Sequence, residues 1–347
     1  VPMVTGVMGS SAGHSAITAP LCDFALMTPD GAIFTAGPPV VKAALGEEVT
    51  KAELGGPSVA ITSGLIHNVS ADDTSLLRDI RTYLSFFGSS AWERPPYVDT
   101  GDTGPRPLDD LLSIVPRNGN ASYDMRLAMS QLVDGGGFFQ VQPDFGPSII
   151  CALARIGGDS VGIVANQPAV IAGSIDTDAA DKAAHFIQVC DSFHLPLVFL
   201  ADNPGVLAGL ASERTGVLRA GARMFAAQTR ARTVKIHVTL RKAYGFGSSV
   251  MAMNPYDEQT LSYGFPGAAL GAMGSASAGK AVGADDQTRV DLQQAENESS
   301  YRSANGLSFD DLIDPRDLRN KVLAALAASA RRRAGAAEPV ARTGITP

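Results

Sequence analysis

RKAYGFGSSVM, residues Arg241 to Met251, is the stretch around which this chain is organised. Residues 235–240 before it (KIHVTL) alternate apolar with polar side chains and include β-branched residues, which predicts a strand. The residues after the glycines predict the start of a helix, with Ser248 or Ser249 as its N-cap. Since the first N–H groups of a helix have no partner within it, such a turn can stabilise a carbonyl oxygen that gains negative charge.

A second stretch near the start of the chain repeats this pattern. Val1–Met8 predicts a strand, residues 9–14 (GSSAGH) form a glycine-containing loop, and small residues that suit a helix follow. Two loops of this kind predict two oxyanion-stabilising sites, one in each half of the chain.

The bulk composition excludes several classes of protein. The 347 residues are 45% hydrophobic and 18% charged, which is ordinary for a globular protein with a real core. A net charge of −7 argues against a nucleic-acid surface, and no apolar run approaches the roughly 18 residues of a membrane span. Cys22, Cys151 and Cys190 lie far apart, so we expect three buried thiols in a reducing cytosol, with neither a disulfide framework nor a metal site.

The order of the predicted elements indicates an α/β protein, because strands alternate with helices along the second half. The segment 88–120 is rich in proline and glycine and marks a boundary between domains. We therefore divide the chain into a first domain at 1–100, a linker at 101–120, a second domain at 121–335 and a disordered tail at 336–347. The main elements predicted in the second domain are a hairpin of 149–156 with 161–165, a buried strand at 197–200, and helices at 178–193, 213–230 and 315–333.

Two further patterns leave alternatives open. Residues 9–13 (GSSAG) fit the G-x-S-x-G motif of serine hydrolases, and Asp202 and His237 follow Ser11 in the chain order that such enzymes use. We rank this interpretation last, because too few residues precede Ser11 to build the sheet on which the motif sits. Asp202 and Asn203 follow a predicted strand, so they either line a pocket or form a plain turn with Pro204 and Gly205.

Several longer segments together carry a resemblance to one family. The chain resembles the carboxyltransferase (β) subunit of biotin-dependent acyl-CoA carboxylases from Val1 to about Leu323. The matching segments include MGSSAGHSA at 8–16, TAGPPVVKAALGEEVTKAELGG at 35–56, GSIDTDAADKAAHFIQVCDSFHLPLVFLADNPG at 173–205, LRKAYGFGSSVM at 240–251 and LIDPRDLR at 312–319.

This resemblance implies a fold of two tandem crotonase-like (ClpP/crotonase) domains. In the family, the first domain contains roughly another half-domain upstream of the segment that matches here. We therefore expect the first domain of this chain to be truncated at its N-terminus.

The resemblance also implies the site residues. The first loop, Ala12-Gly13-His14, is expected to hold the thioester carbonyl of an acyl-CoA, and the second, Gly245-Phe246-Gly247, to hold the ureido oxygen of biotin. The predicted catalytic groups are the backbone N–H groups of Gly13, His14, Phe246 and Gly247. The predicted pocket residues are Ala12, Ser249, Asn203 and Gly205. Ser249 matches an acyl-selectivity position, but a serine there leaves the acyl chain undetermined.

The implied function is transfer of a carboxyl group from carboxybiotin to the α carbon of an acyl-CoA, through an oxyanion-stabilised enolate. Because the sequence has no biotin-attachment Met-Lys-Met and no ATP-binding glycine loop, we expect a separate biotin carboxylase and biotin carrier (α) subunit. A cytoplasmic homo-oligomer, a hexameric ring of dimers, is also expected. A biotin-linked acyl-CoA decarboxylase subunit and a non-catalytic assembly subunit of the same fold remain the alternatives.

Overall fold

The computed structural model describes residues 1–254, 259–330 and 338–339. Most of the predicted tail at 336–347, and the predicted end of the last helix at 331–333, lie outside the described residues. Among the described residues, no helix combines the length and the apolar composition that crossing a bilayer requires.

The first hundred residues form two small parallel sheets with four helices. Their strands are β1 (Val4–Val7), β2 (Ser10–Ala12), β3 (Phe24–Met27), β4 (Ala32–Phe34) and β5 (Asn68–Val69). Their helices are α1 (Pro38–Leu45), α2 (Lys51–Gly55), α3 (Pro57–Thr62) and α4 (Asp73–Leu84). One sheet has the order β1-β3-β5 and the other pairs β2 with β4. Pro38 and Pro39 begin α1, and Asp72 caps α4 by accepting from the Ser75 N–H.

The described residues after 100 form one eight-stranded sheet covered by helices. Its strands are β6 (Phe138–Val141), β7 (Ile149–Ile156), β8 (Asp159–Asn166), β9 (Leu197–Asn203), β10 (Lys235–Tyr244), β11 (Leu261–Gly264), β12 (Ala269–Gly271) and β13 (Asp311–Leu312). Its helices are α5 (Leu111–Ile114), α6 (Met125–Leu132), α7 (Thr177–Ser192), α8 (Leu210–Thr215), α9 (Val217–Arg230), α10 (Phe246–Val250), α11 (Ser275–Ala281), α12 (Asp286–Asn297), α13 (Ser299–Asn305) and α14 (Leu318–Ala328).

The strand order of this sheet is β13-β11-β10-β9-β8-β7-β6, and β12 also pairs with β10. β7 pairs antiparallel with β6 and β8, whereas β8, β9, β10 and β11 run parallel. Alternate side chains of β7 enter two different cores: Cys151 and Leu153 pack with α7 and α9, and Ile150 and Ala152 pack with α6 and α14. Helices therefore cover both faces of the sheet, which explains why the central strands are apolar without alternation.

An aromatic cluster joins the first hundred residues to this sheet. Phe24 of β3 stacks on Tyr83 of α4 with 4.3 Å between ring centroids, and Phe87 meets Phe193 edge-on at 5.4 Å. Phe24 and Phe193 belong to the same buried cluster. The two parts therefore share apolar packing, and the domain boundary at 101–120 stays a prediction.

Several sequence-based element bounds need correction. β9 includes Asp202 and Asn203, which we assigned to a loop, because the parallel ladder with β10 continues as far as the Ala243–Asn203 pair. The predicted helix at 213–230 is two helices divided at Gly216, which has a left-handed φ of 84°. No helix was predicted at 282–305, where the structure has α12 and α13; α12 has no fully buried side chain, so its apolar stripe is weak in the sequence.

The cysteines largely match their prediction. Cys151 and Cys190 are buried free thiols, and burial raises the pKa of Cys151 to about 12. Cys22 was also expected to be buried but is only partly covered. Among the described residues, no group of three or more histidine, cysteine or acidic side chains converges as metal ligands do.

Candidate active site

The parallel strands β9 and β10 end at the same edge of the sheet, where ligands of open α/β sheets usually bind. After Tyr244 the chain turns at Gly245, with φ 54° and ψ −145°, a conformation that only glycine adopts without strain. Gly245 is also the N-cap of α10, so our prediction of Ser248 or Ser249 as the N-cap was wrong. The Ser248 hydroxyl instead donates to the Gly245 carbonyl at 2.9 Å.

Two backbone donors are exposed at the start of α10. The N–H of Gly245 is used, because it donates to the Gly271 carbonyl at 2.8 Å. The next two N–H groups, those of Phe246 and Gly247, have no acceptor among the described residues, as expected for the first turn of a helix. These are the two donors that the family resemblance predicts for the second oxyanion-stabilising site.

Gly247 is packed so closely that no side chain fits. A Cβ atom there lies 2.2 Å from Oδ1 of Asn203 and 2.8 Å from Cα of Gly205. The structure therefore brings three of the predicted site residues together at the end of β9 and the start of α10.

The Asn203 side chain is buried, and its oxygen and its nitrogen each form a hydrogen bond within the protein. Its Oδ1 accepts from the Gly205 N–H at 3.0 Å, and its Nδ2 donates to Oδ1 of Asn166 at 3.0 Å. The same Asn166 oxygen accepts from the Asp202 N–H at 3.0 Å. This hydrogen-bond network fixes the Asn203 side chain against which Gly247 packs.

Ser249, the predicted selectivity residue, lies in the fourth position of α10 and is half-buried. Its carbonyl accepts from Nε2 of Gln228 on α9 at 3.0 Å. The α10 helix is thus tied to α9 as well as to the sheet.

A buried ion pair lies directly beside the loop, and the sequence analysis missed it. Arg241 on β10 donates from Nε to Oδ2 of Asp202 at 2.6 Å, and the Tyr123 hydroxyl donates to the same oxygen at 2.9 Å. Burial raises the pKa of Asp202, and the neighbouring Arg241 opposes that shift. The other carboxylate oxygen, Oδ1, is buried with no partner among the described residues. The only signal in the sequence was the charged residue at the end of each predicted strand.

The Arg241 guanidinium also holds the end of the predicted linker. Its Nη1 donates to the carbonyls of Asn118 and Ala121 at 2.9 and 2.8 Å, and its charge lies 4.6 Å from the centroid of the Tyr123 ring. The segment before α6 is therefore fastened to the sheet edge at the site.

Tyr244, the last residue of β10, forms a side-chain hydrogen bond to α12. The Tyr244 hydroxyl donates to Glu296, whose carboxylate also accepts from the Ser275 N–H. A cavity of about 400 Å³ opens next to this contact, lined mainly by Leu270, Met273, Ala278, Leu292, Ala295, Glu296 and Arg302. No pattern in the sequence indicates this cavity.

His237 of β10 lies beneath α10, and its contacts exclude a catalytic arrangement of Ser11 with His237 and Asp202. Its Nδ1 lies 2.7 Å from the Met251 carbonyl and its Nε2 lies 2.7 Å from the Thr239 hydroxyl. Both ring nitrogens are therefore occupied, and Asp202 is paired with Arg241 instead. No catalytic base is left for Ser11 within this set of residues.

The first glycine loop belongs to the small β2–β4 sheet and is more open. Ala12 ends β2, and a 3₁₀ helix at Gly13–Thr18 follows where we expected an α-helix. Ala12, Gly13 and His14 are exposed, and Gly13 has a left-handed φ of 64°. The N–H groups of Gly13 and His14 have no acceptor among the described residues. The predicted pair of backbone donors is thus present here too, without buried side chains packed around it.

Comparison with known proteins identifies relatives along nearly the whole chain. The carboxyl transferase domain family matches residues 1–342. The chain is 37% identical to the methylmalonyl-CoA carboxyltransferase 12S subunit of Propionibacterium freudenreichii subsp. shermanii, over 96% of this chain and 66% of that protein. It is also 37% identical to the methylmalonyl-CoA decarboxylase subunit alpha of Veillonella parvula, again over 96% of this chain and 66% of that protein.

A solved structure agrees with these relatives. The fold matches a transcarboxylase 12S crystal structure, described as a hexamer with hydrolysed methylmalonyl-coenzyme A bound, with a TM-score of 0.91 and 37% identity. The match covers 100% of this chain and 68% of that one. The chain thus spans about two thirds of the length of the relatives it matches.

Proposed function

Because this chain belongs to the carboxyl transferase domain family, we propose that it is the carboxyltransferase component of a biotin-dependent acyl-CoA carboxylase. It transfers a carboxyl group from carboxybiotin on a carrier protein to the α carbon of an acyl-CoA. The observation that carries this proposal is the loop at Gly245–Gly247, where two N–H groups have no acceptor among the described residues and Gly247 packs against the buried Asn203.

The backbone donors of the two loops suit the two oxygen atoms that gain negative charge during this reaction. The N–H groups of Phe246 and Gly247 donate to the ureido oxygen, and those of Gly13 and His14 donate to the thioester oxygen. Each donor contributes about 3 kcal/mol to stabilisation of a developing oxyanion in related sites. Carboxybiotin, when bound, supplies both the carboxyl group and, at its ureido nitrogen, the base. The chain itself has to orient the two oxygens and exclude water.

We also propose that the pocket residues are those implied by the sequence. Ala12 lies at the first loop, and Asn203, Gly205 and Ser249 lie around the second. The two loops belong to two crotonase-like units, an arrangement supported by the recurrence of the strand-to-glycine turn in separate sheets. Propionyl-CoA and methylmalonyl-CoA are the first substrates to test, since both relatives are named for methylmalonyl-CoA.

A biotin carrier, a biotin carboxylase and further copies of this chain are the proposed partners. The hexamer reported for the transcarboxylase 12S structure supports a homo-oligomer. Light scattering on the purified chain measures its mass directly, and a stable monomer would speak against this assembly.

The test of function is the reverse half-reaction. The purified chain is mixed with methylmalonyl-CoA and biocytin, and formation of propionyl-CoA is followed by chromatography; malonyl-CoA is compared in parallel. We expect turnover that depends on biocytin. Gly247→Pro removes one donor and introduces the clash with Asn203, so it should abolish turnover. Gly267→Ala is the matched control, because a Cβ there meets nothing within 4 Å. Full activity of folded Gly247→Pro contradicts the assignment.

The second candidate is a biotin-linked acyl-CoA decarboxylase subunit. It is favoured by the equal identity of 37% to the Veillonella parvula decarboxylase subunit. Both candidate functions include the same half-reaction, so this assay does not distinguish them. The identity of the partner protein does. Purification from the native source with a biotin carboxylase supports the carboxylase, and purification with membrane proteins supports the decarboxylase.

A further inference from the structure

The helix that presents the proposed oxyanion donors is too short to hold itself in place. α10 contains five residues, Phe246–Val250, and helices of this length are unstable without tertiary support. Its donors lie in the first turn, so their direction depends on what fixes the last turn. Two carbonyls at that end accept hydrogen bonds from buried side chains: Ser249 accepts from Gln228, and Met251 accepts from His237.

His237 is placed to act as a rigid support. It is fully buried at the third position of β10, and its ring lies nearly parallel to that of Phe309, with 6.5 Å between centroids. The neighbouring Thr239 is also fully buried and approaches the other ring nitrogen at 2.7 Å. The ring therefore has little freedom to rotate.

The hydrogen-bond partners assign the proton on this ring. A backbone carbonyl only accepts, so the Nδ1 that lies 2.7 Å from the Met251 oxygen carries the hydrogen. In a neutral imidazole Nε2 then accepts, and the Thr239 hydroxyl donates to it. Burial lowers the pKa of His237 to about 4, which keeps this neutral form at physiological pH.

We propose that His237 is a positioning residue for carboxyl transfer: its Nδ1–H fixes the Met251 carbonyl and thereby the direction of the Phe246 and Gly247 N–H groups. Gln228 assists by holding the Ser249 carbonyl. This inference rests on the proposed function, because it concerns the donors of the same loop. His237 itself contacts no substrate. Its effect is on transition-state stabilisation, since a misplacement of about 1 Å can cost about 100-fold in rate.

Two substitutions of similar size separate positioning from packing. In His237→Asn the side-chain amide nitrogen can occupy the place of Nδ1 and still donate to Met251. In His237→Gln the longer side chain carries its nitrogen toward Thr239, so the donor to Met251 is lost. Both replacements remove the ring that stacks on Phe309, and a purely structural role would affect them alike.

The experiment measures kcat and KM for biocytin-dependent decarboxylation of methylmalonyl-CoA by the full chain and both variants. We expect His237→Gln to lose about 10- to 100-fold in kcat, with KM for the CoA ester changed less than threefold. His237→Asn should retain kcat within about threefold. Equal losses in the two variants, or full kcat in His237→Gln, overturn the proposal.

Amide hydrogen exchange gives a readout that does not depend on activity. In His237→Gln, exchange at 246–253 should become on the order of tenfold faster, as expected for loss of one hydrogen bond, while β7 and β8 stay protected. His237→Asn should keep the native pattern. If the unaltered chain shows no carboxyl transfer, the proposed function fails and this pattern alone decides the role of His237. If amide exchange at 246–253 then changes equally in His237→Gln and His237→Asn, the proposal is overturned.

Discussion

The two glycine loops present the same kind of backbone donors, but they differ in what lies beneath them. At the first loop, Ala12, Gly13 and His14 are exposed, and a Cβ added at Gly9 meets nothing within 4 Å. At the second loop Gly247 is buried, and a Cβ there would lie 2.2 Å from Asn203. Asn203, His237 and Gln228 reach that loop from β9, β10 and α9.

This difference indicates that the N–H groups of the second loop have the more fixed direction. Donors held on rigid elements by buried side chains keep their direction, whereas donors on an exposed loop depend on local backbone preference. We therefore expect substitutions around the second loop to change stability and chemistry strongly. Substitutions at the edge of the first loop should change little. The four predictions below test this contrast, from the largest expected effect to the smallest.

Asp202→Ala should cause the largest loss of stability. It leaves the Arg241 guanidinium buried without its carboxylate, a change that typically costs about 3–5 kcal/mol. The control is Asp181→Ala, whose partner Arg223 is 37% exposed, and which should cost less than about 1 kcal/mol. Urea unfolding of the chain and both variants measures these values. Equal costs for the two substitutions would remove the basis for treating the Asp202 pair as the support of the second loop.

The pH dependence of stability should reveal the buried His237. Its folded pKa of about 4 lies below the ordinary value of 6.5, so the unfolded chain binds this proton more readily. The stabilisation is therefore complete above pH 6.5 and is lost as the pH falls to 4, by about 3 kcal/mol over that window. Unfolding free energies at pH 7 and pH 4.5 should differ less in His237→Asn than in the native chain. An unchanged difference would contradict the assigned burial.

Gly247→Ala should affect the reaction more than Gly9→Ala. The added methyl group displaces α10 from Asn203 and Gly205, so the two donors move and turnover should fall by about 100-fold, equivalent to about 2.7 kcal/mol. Gly9→Ala meets open space and should stay within about twofold of the native rate. The biocytin assay measures both. Equal rates for the two variants would mean that the second loop tolerates displacement.

His14→Ala should have the smallest effect on stability. The side chain is exposed on the first loop, and exposed substitutions usually change the free energy of unfolding by less than about 0.5 kcal/mol. Thermal unfolding of the variant tests this expectation. A clear drop in Tm would show that His14 packs against something that stabilises the first loop, and the contrast between the loops would weaken.

Local patterns in the sequence predicted much of this fold. The hairpin of β7 and β8, the buried strand β9, the helix α7 and the strand that leads into Gly245 were all identified from periodicity and glycine placement. Three helices were poorly predicted for an identifiable reason. α12 is mostly polar and has no fully buried side chain, and the pair α8 and α9 is divided by one left-handed glycine within a continuous helical pattern.

The site residues divide in the same way. The proposed loop residues Gly13, His14, Phe246 and Gly247 were predicted from motifs and resemblance, because the contribution proposed for each is a backbone N–H in a recognisable turn. The supporting residues Arg241, Tyr123, Gln228 and His237 were not assigned these roles. Their partners are far away in the sequence: Arg241 binds the Asn118 carbonyl and Tyr123 binds Asp202. No local pattern encodes such pairs.

The sequence by itself determined the α/β class, the position of both glycine turns and the family to which the chain belongs. The class and the turns depend on residues that are close along the chain, through apolar periodicity and the conformational freedom of glycine, whereas the family follows from the resemblance of longer segments. Only the tertiary structure decided that Asn203 fills the space below Gly247 and that His237 holds the Met251 carbonyl. These contacts exist because neighbouring parallel strands bring residues that are distant in the sequence side by side, where burial favours hydrogen bonds between polar groups.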